Sequence, residues 1–335
     1  MKKSTFSINY GISLLKIIMS FIVVTCHFGN GFTRELRNLA VPIFMFIAFF
    51  YSVDLMIFQD KVAIKKRLSR LILPYVGWPI IYWLFYKITY FLGFLEWSVT
   101  FNDLCLQIIF GSCKQICSPL WYMFDLIILT LLFMLVFHMQ NIKKSFGILA
   151  LISLISFILQ YSGMNYSFFS QFRYEVSYTF GRMCEMFPYA FFGCFAGYFD
   201  IYTIIEKRRK TVMVVIALLI ILLWNTYRID INRQGWGYQG VLLMLISNLI
   251  VTFFYLIPLH NEHSKICWLI TKVSKYTLGI YCVHLLVGRV LVDVIGELEF
   301  MTIPYFECVV IWIISLSVSS LISLIPSKWC KSLVN

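Results

Sequence analysis

Charge is scarce in this sequence. Asp, Glu, Lys and Arg make up 13% of its 335 residues, about half the share usual in soluble domains. Hydrophobic residues reach 60%, and mean hydropathy is +0.82. These values exclude a water-soluble core. No polar stretch is long enough for a separate soluble domain, so residues 1–335 read as a single membrane-embedded domain. Ten cysteines are present without a Cys-x-x-Cys pair, which excludes the usual metal or redox spacing. They lie mostly in apolar blocks, where a thiol behaves as a small hydrophobe. Cys113 and Cys117 share one loop, so a disulfide between them stays open. No small-x-small cleavage site follows the first apolar block, Ile12 to Phe28, and Lys16 and His27 sit inside it. That block reads as a retained helix, not a signal peptide. Internal repeats, low-complexity tracts and the inverted repeats of transporters are also missing.

What is present is a series of apolar blocks of roughly 17–25 residues, the length that crosses a bilayer core. The expected fold is all-α, a polytopic membrane protein of about ten transmembrane helices. Spans are predicted near 11–29, 39–58, 71–94, 119–138, 146–162, 186–204, 211–227, 240–260, 273–295 and 304–325. The loops sort by charge. Lys2 and Lys3, the basic residues from Lys61 to Arg70, Lys143 and Lys144, Lys207 to Lys210, Lys265, Lys272 and Lys275, and Lys328 and Lys331 give 18 on one side. Arg34, Arg37, Lys114, Arg173, Arg182, Arg228 and Arg233 give 7 on the other. The richer side is cytoplasmic by the positive-inside rule, which puts both termini inside. An odd number of spans would scramble this alternation. The net charge of +12 thus marks topology, and the expected environment is the lipid bilayer with no nucleic-acid partner. The loop at 163–185, carrying Arg182 and Glu185, is expected to fold over the external surface.

Ionisable residues within spans default to functional candidates. Lys16 and His27 are eleven residues apart, about 16 Å of rise and nearly three turns, so they share one helix face. Arg67 and Arg70 are one turn apart at i and i+3, where two guanidiniums grip one anionic group. Arg suits phosphate because its planar fork donates two parallel hydrogen bonds. Lys65 and Lys66 read as membrane anchors. Asp125 in the fourth span and His284 in the ninth are expected to face the bundle interior.

Several segments together resemble the family-3 membrane acyltransferases, along nearly the whole chain. Lys16-x(10)-His27 is similar to the family's opening helix, which usually has Arg at the basic position. Arg37 to Phe44, with Val41-Pro42, resembles the start of its second helix. Ala48-Phe49 stands where Ser-Gly commonly follows, which points to a narrower or differently shaped cavity. Arg67-Leu-Ser-Arg70, Pro74-Tyr75, Trp78 and Tyr82 resemble its basic loop and third helix. Leu120-Trp121-Tyr122, Gly193 to Tyr198, and Ser274 through Gly279, Tyr281 and His284 resemble later motifs.

The resemblance implies an O-acyltransferase of the inner (cytoplasmic) membrane. The implied donor is a cytoplasmic acyl-CoA, usually acetyl-CoA. The implied acceptor is a hydroxyl of a cell-surface or lipid-linked glycan. No metal is expected, and the oligomeric state is left open. It also implies that His27 and the Arg67/Arg70 pair matter for activity. Acyl transfer to a hydroxyl needs a base and stabilisation of an oxyanion. His27 is the candidate base or acyl carrier, with Lys16 beside it on the catalytic face. Arg67 and Arg70 are the candidate CoA-binding pair. Arg37, Pro42, Trp121, Asp125, Tyr281 and His284 are candidate substrate- or cavity-lining residues. The rival reading is a transporter or flippase for a polysaccharide precursor or small molecule. Its mark would be paired Gly/Pro-broken helices, which the sequence lacks.

Overall fold

A computed structural model describes residues 9–29, 34–111, 116, 118–167, 174–234, 238, 240–259, 264–291 and 305–334. Cys113, Cys117 and Arg173 lie outside them, so the disulfide question is not addressed by the described residues. Among the described residues the secondary structure is helical, with no strand. In chain order the helices are α1 (Tyr10–Phe28), α2 (Arg34–Phe50), α3 (Val53–Phe58), α4 (Lys61–Phe91), α5 (Phe101–Phe110), α6 (Trp121–Met139), α7 (Ile142–Tyr161) and α8 (Met164–Ser167). Then come α9 (Tyr174–Tyr198), α10 (Ile201–Glu206), α11 (Arg209–Gln234), α12 (Val241–Leu256), α13 (Lys265–Ser274), α14 (Thr277–Arg289), α15 (Phe306–Leu324) and α16 (Lys328–Val334).

Short polar residues set several starts. Asn9 accepts from the Ile12 amide at 2.9 Å and opens α1. Asp60 accepts from Val62 and Ala63 and opens α4. Asn141 accepts from Lys144 and opens α7. Each satisfies amides that have no partner within their own helix.

Among the described residues, six helices or helix segments are long and apolar enough to cross a membrane: α1, α4, α6, α7, Arg209–Asp230 of α11, and α15. The chain is an integral membrane protein. The four other expected segments fall on helices that are shorter, broken or more polar. The segment at 39–58 divides between α2 and α3, with a turn at Tyr51 and Ser52. Ser52 Oγ donates to the Ala48 carbonyl at 2.5 Å, a back-bond that competes with the helix ladder. Residues 240–260 hold α12, and 273–295 begins at the break between α13 and α14. The segment at 186–204 lies mostly in α9, which begins earlier than expected, at Tyr174. The loop predicted at 163–185 is therefore largely helical, and Arg182 and Glu185 belong to the bundle interior.

The centre of the bundle is tight. Gly193 and Gly197 face the backbone of Phe46 and Phe50, so α9 and α2 approach closer than any side chain would allow. Tyr75, Trp78 and Tyr82 run along α4 and tie it to three other elements. Tyr75 donates to the Ile108 carbonyl of α5 at 2.7 Å, and Trp78 to Leu333 of α16 at 2.9 Å. The Tyr82 hydroxyl donates to the Cys282 carbonyl at 2.9 Å and accepts from the Leu286 amide at 3.0 Å. Cys282 and Leu286 are i and i+4, the pair that bond each other in an uninterrupted helix. Tyr82 therefore inserts itself into the ladder of α14.

Candidate active site

A cavity of about 590 Å³ opens between α1, α2, α3, α4, α6 and the start of α14. Its walls carry Lys16, Lys66, Arg67 and Arg70, and none of its described lining residues is acidic. Tyr122, Thr277 and Tyr281 supply polar wall, and Phe44, Leu71, Leu126 and Leu278 supply apolar wall. The fold thus gathers Lys16, Arg67, Arg70 and Tyr281 from three distant parts of the chain. Arg67 reaches Thr130 Oγ1 with one terminal nitrogen at 3.5 Å, and its Nε is buried without a hydrogen-bond partner among the described residues.

The structure separates residues that the sequence reading treated together, in two places. Lys66 is on the cavity wall beside Arg67, while Lys65 faces a separate groove with Lys61, Leu68 and Trp329. Neighbours on a helix point about 100° apart, so one lysine enters the cavity and the other faces away. The Ala48-Phe49 departure also divides. Ala48 lines the cavity, whereas Phe49 is fully buried against Phe133, ring centroids 4.8 Å apart.

From the cavity an aromatic path leads to His27. The rings of Tyr122 and Tyr281 are 5.7 Å apart, and the Tyr281 hydroxyl donates to the Pro119 carbonyl. Tyr281 and His284 are 6.2 Å apart, and His284 and His27 are 5.2 Å apart. His27 lies in the last turn of α1. Gly29 caps that turn, its amide donating to Thr25, and Arg37 Nη2 donates to the Gly29 carbonyl at 2.7 Å. Arg37 thereby pins the end of α1 to α2. Pro42 is buried within α2 and has no amide for the ladder. Neither Arg37 nor Pro42 is among the cavity-lining residues.

Trp121 and Asp125 lie on a neighbouring cluster that sequence reasoning missed. Arg182 stacks over Trp121, Tyr178 and Tyr238, with centroid distances of 4.6, 4.9 and 5.0 Å. It pairs with the fully buried Glu185 at 3.6 Å, and Tyr166 donates to that carboxylate at 2.9 Å. Asp125 is 1% exposed, and its Oδ2 has no hydrogen-bond partner among the described residues. The available signal was Arg182 and Glu185 at i and i+3 within a helix-periodic apolar run.

A family model described as an acyltransferase domain, acyltransferase-3, matches residues 9–323. No curated protein and no solved structure matches the chain. The match runs from the helix bearing Lys16 and His27 through the basic turn and the His284 helix into α15, and on that ground this membrane protein belongs to the acyltransferase-3 family.

Proposed function

We propose that this membrane acyltransferase moves an acetyl group from cytoplasmic acetyl-CoA to a hydroxyl of a cell-surface or lipid-linked glycan. The observation that carries the reading is the cavity with Lys16, Lys66, Arg67 and Arg70 and no acidic residue among its described lining residues toward one end of α1, and a histidine at the other end. The cations suit the phosphates of CoA, with Arg67 and Arg70 offering planar forks. Lys16, deeper along α1, suits the donor's carbonyl or pantetheine arm. His27 accepts the proton of the acceptor hydroxyl as its oxygen attacks the thioester carbon. The carbon–sulfur bond then breaks, and the departing thiolate takes that proton. In this reading the chain is one domain of ten spans in the cytoplasmic membrane, with both termini inside. The basic turn then meets cytoplasmic CoA while His27 lies near the external side.

The test is transfer from radiolabelled acetyl-CoA by the purified protein into glycan extracted from cells lacking the gene. Base-labile O-acetyl on that glycan is the expected product. Label retained only as acetyl-CoA and free acetate, with unchanged cellular O-acetyl content on deletion, would refute the acceptor class.

A further inference from the structure

His27 has a second imidazole beside it. His284, on α14, is fully buried, with its ring centroid 5.2 Å from that of His27. Its Nδ1 lies 2.7 Å from the Tyr281 carbonyl and 3.2 Å from that of Ile280. Carbonyl oxygens only accept, so Nδ1 bears the hydrogen and Nε2 of the neutral ring presents a lone pair. That Nε2 is buried with no hydrogen-bond partner among the described residues. An orphaned buried acceptor is destabilising and calls for a donor.

The spacing suits one donor. A linear N–H···N bond between two imidazoles, with nitrogens about 2.9 Å apart and each roughly 1.1 Å from its ring centre, sets the centroids about 5 Å apart. The two ring centroids are 5.2 Å apart with the planes tilted by 43°, so the rings have the separation of such a bond and lack only its alignment, which a turn of the exposed His27 side chain would supply. The helices are also held close here. A Cβ on Gly288 would overlap the Phe28 ring, so the missing side chain at 288 leaves the space in which the last residue of α1 packs on α14.

We propose that His284 is the positioning residue for His27. Its Nε2 accepts the N–H of His27, which fixes the tautomer and leaves the other His27 nitrogen unprotonated toward the acceptor hydroxyl. When His27 takes the hydroxyl proton, the same bond stabilises the imidazolium until the CoA thiolate removes that proton. His284 holds its own proton throughout, on Tyr281. A carboxylate plays the equivalent part in hydrolytic triads, and here a neutral ring does so within an apolar bundle. This inference rests on the reading of His27 as the base.

The test uses the purified full chain with acetyl-CoA and glycan extracted from cells lacking the gene. His284→Gln carries an amide oxygen near the reach of Nε2. His284→Asn carries an amide nitrogen near the reach of Nδ1. His284→Leu carries neither. Leu and Asn are expected to lower kcat by roughly 10²-fold with the KM for acetyl-CoA unchanged, while Gln restores much of the loss. Asn equal to or better than Gln would mean that His284 only anchors to Tyr281 and would overturn the proposal. Wild-type kcat in the Leu variant, kcat and KM failing together, or loss of folded protein in all three would overturn it as well. A wild-type protein that transfers no acetyl group would instead remove the reading of the reaction itself, and this inference with it.

Discussion

Two adjacent lysines offer a sharp test of the cation-lined cavity. Lys65 and Lys66 have the same charge and the same place in the chain, but only Lys66 is on the wall with Arg67 and Arg70. Any contribution to general anchoring in the headgroups is shared by both. A hydrogen bond to a charged group contributes about 1.5–3 kcal/mol. Lys66 is exposed, so solvent screening brings its share down to about 1 kcal/mol or less, near a fivefold change in affinity. Arg67 is more enclosed, with a buried Nε, so the full range applies and corresponds to roughly 10- to 150-fold. Acetyl-CoA binding is therefore expected to weaken in the order Arg67→Ala, then Lys66→Ala, then Lys65→Ala, which should match wild type. The measurement is calorimetric titration of detergent-purified variants at two salt concentrations, with monodispersity checked for each. Wild-type and Lys65→Ala affinities should both fall with salt, and Lys66→Ala should fall less steeply. Equal losses for Lys65→Ala and Lys66→Ala would show that the turn acts through bulk charge, and the cavity would lose its assignment.

Tyr82→Phe removes both hydroxyl bonds to α14 and is expected to slow transfer at least tenfold, while acetyl-CoA titration stays unchanged; a wild-type rate would show that the insertion does not matter to the site. Gly193→Ala sets a methyl group against the Phe46 backbone, and overpacking of this kind costs about 1–3 kcal/mol, to be read as a lowered thermal midpoint. His27→Ala is expected to abolish glycan acetylation with expression and donor binding retained, whereas His138→Ala, which loses only a contact to Gln59, keeps activity. Tags beside Lys143 and Arg208 should report cytoplasmic and a tag beside Arg233 external; an inverted result at any one would break the ten-span topology.

The helical membrane fold was legible because hydropathy blocks are a local property of the chain. The Arg67/Arg70 pair was equally legible, since i and i+3 on one helix needs no tertiary information. Lys66 was not, because the direction it faces depends on how α4 is rotated in the bundle. The break after Phe50 was hidden for a similar reason: no Pro or Gly marks it, and Ser52 turns back on Ala48 only in the folded arrangement. Arg182 and Glu185 misled the charge-based sorting, which takes polar residues near a span end for loop. What holds them inside is Trp121, Tyr166 and Tyr238, all brought from other elements. The pairing of His27 with His284 joins positions at opposite ends of the chain, beyond any reading of local pattern.

The position of the cations carries a consequence for turnover. Lys66, Arg67 and Arg70 share the Lys16 cavity, toward the opposite end of α1 from His27, and in the proposed reaction groups so placed would hold the donor and the spent thiol alike. Binding shared by substrate, transition state and product lowers KM without raising kcat. Free CoA should therefore compete with acetyl-CoA for the empty enzyme, making the rate sensitive to the cell's ratio of acylated to free CoA more than to the total pool.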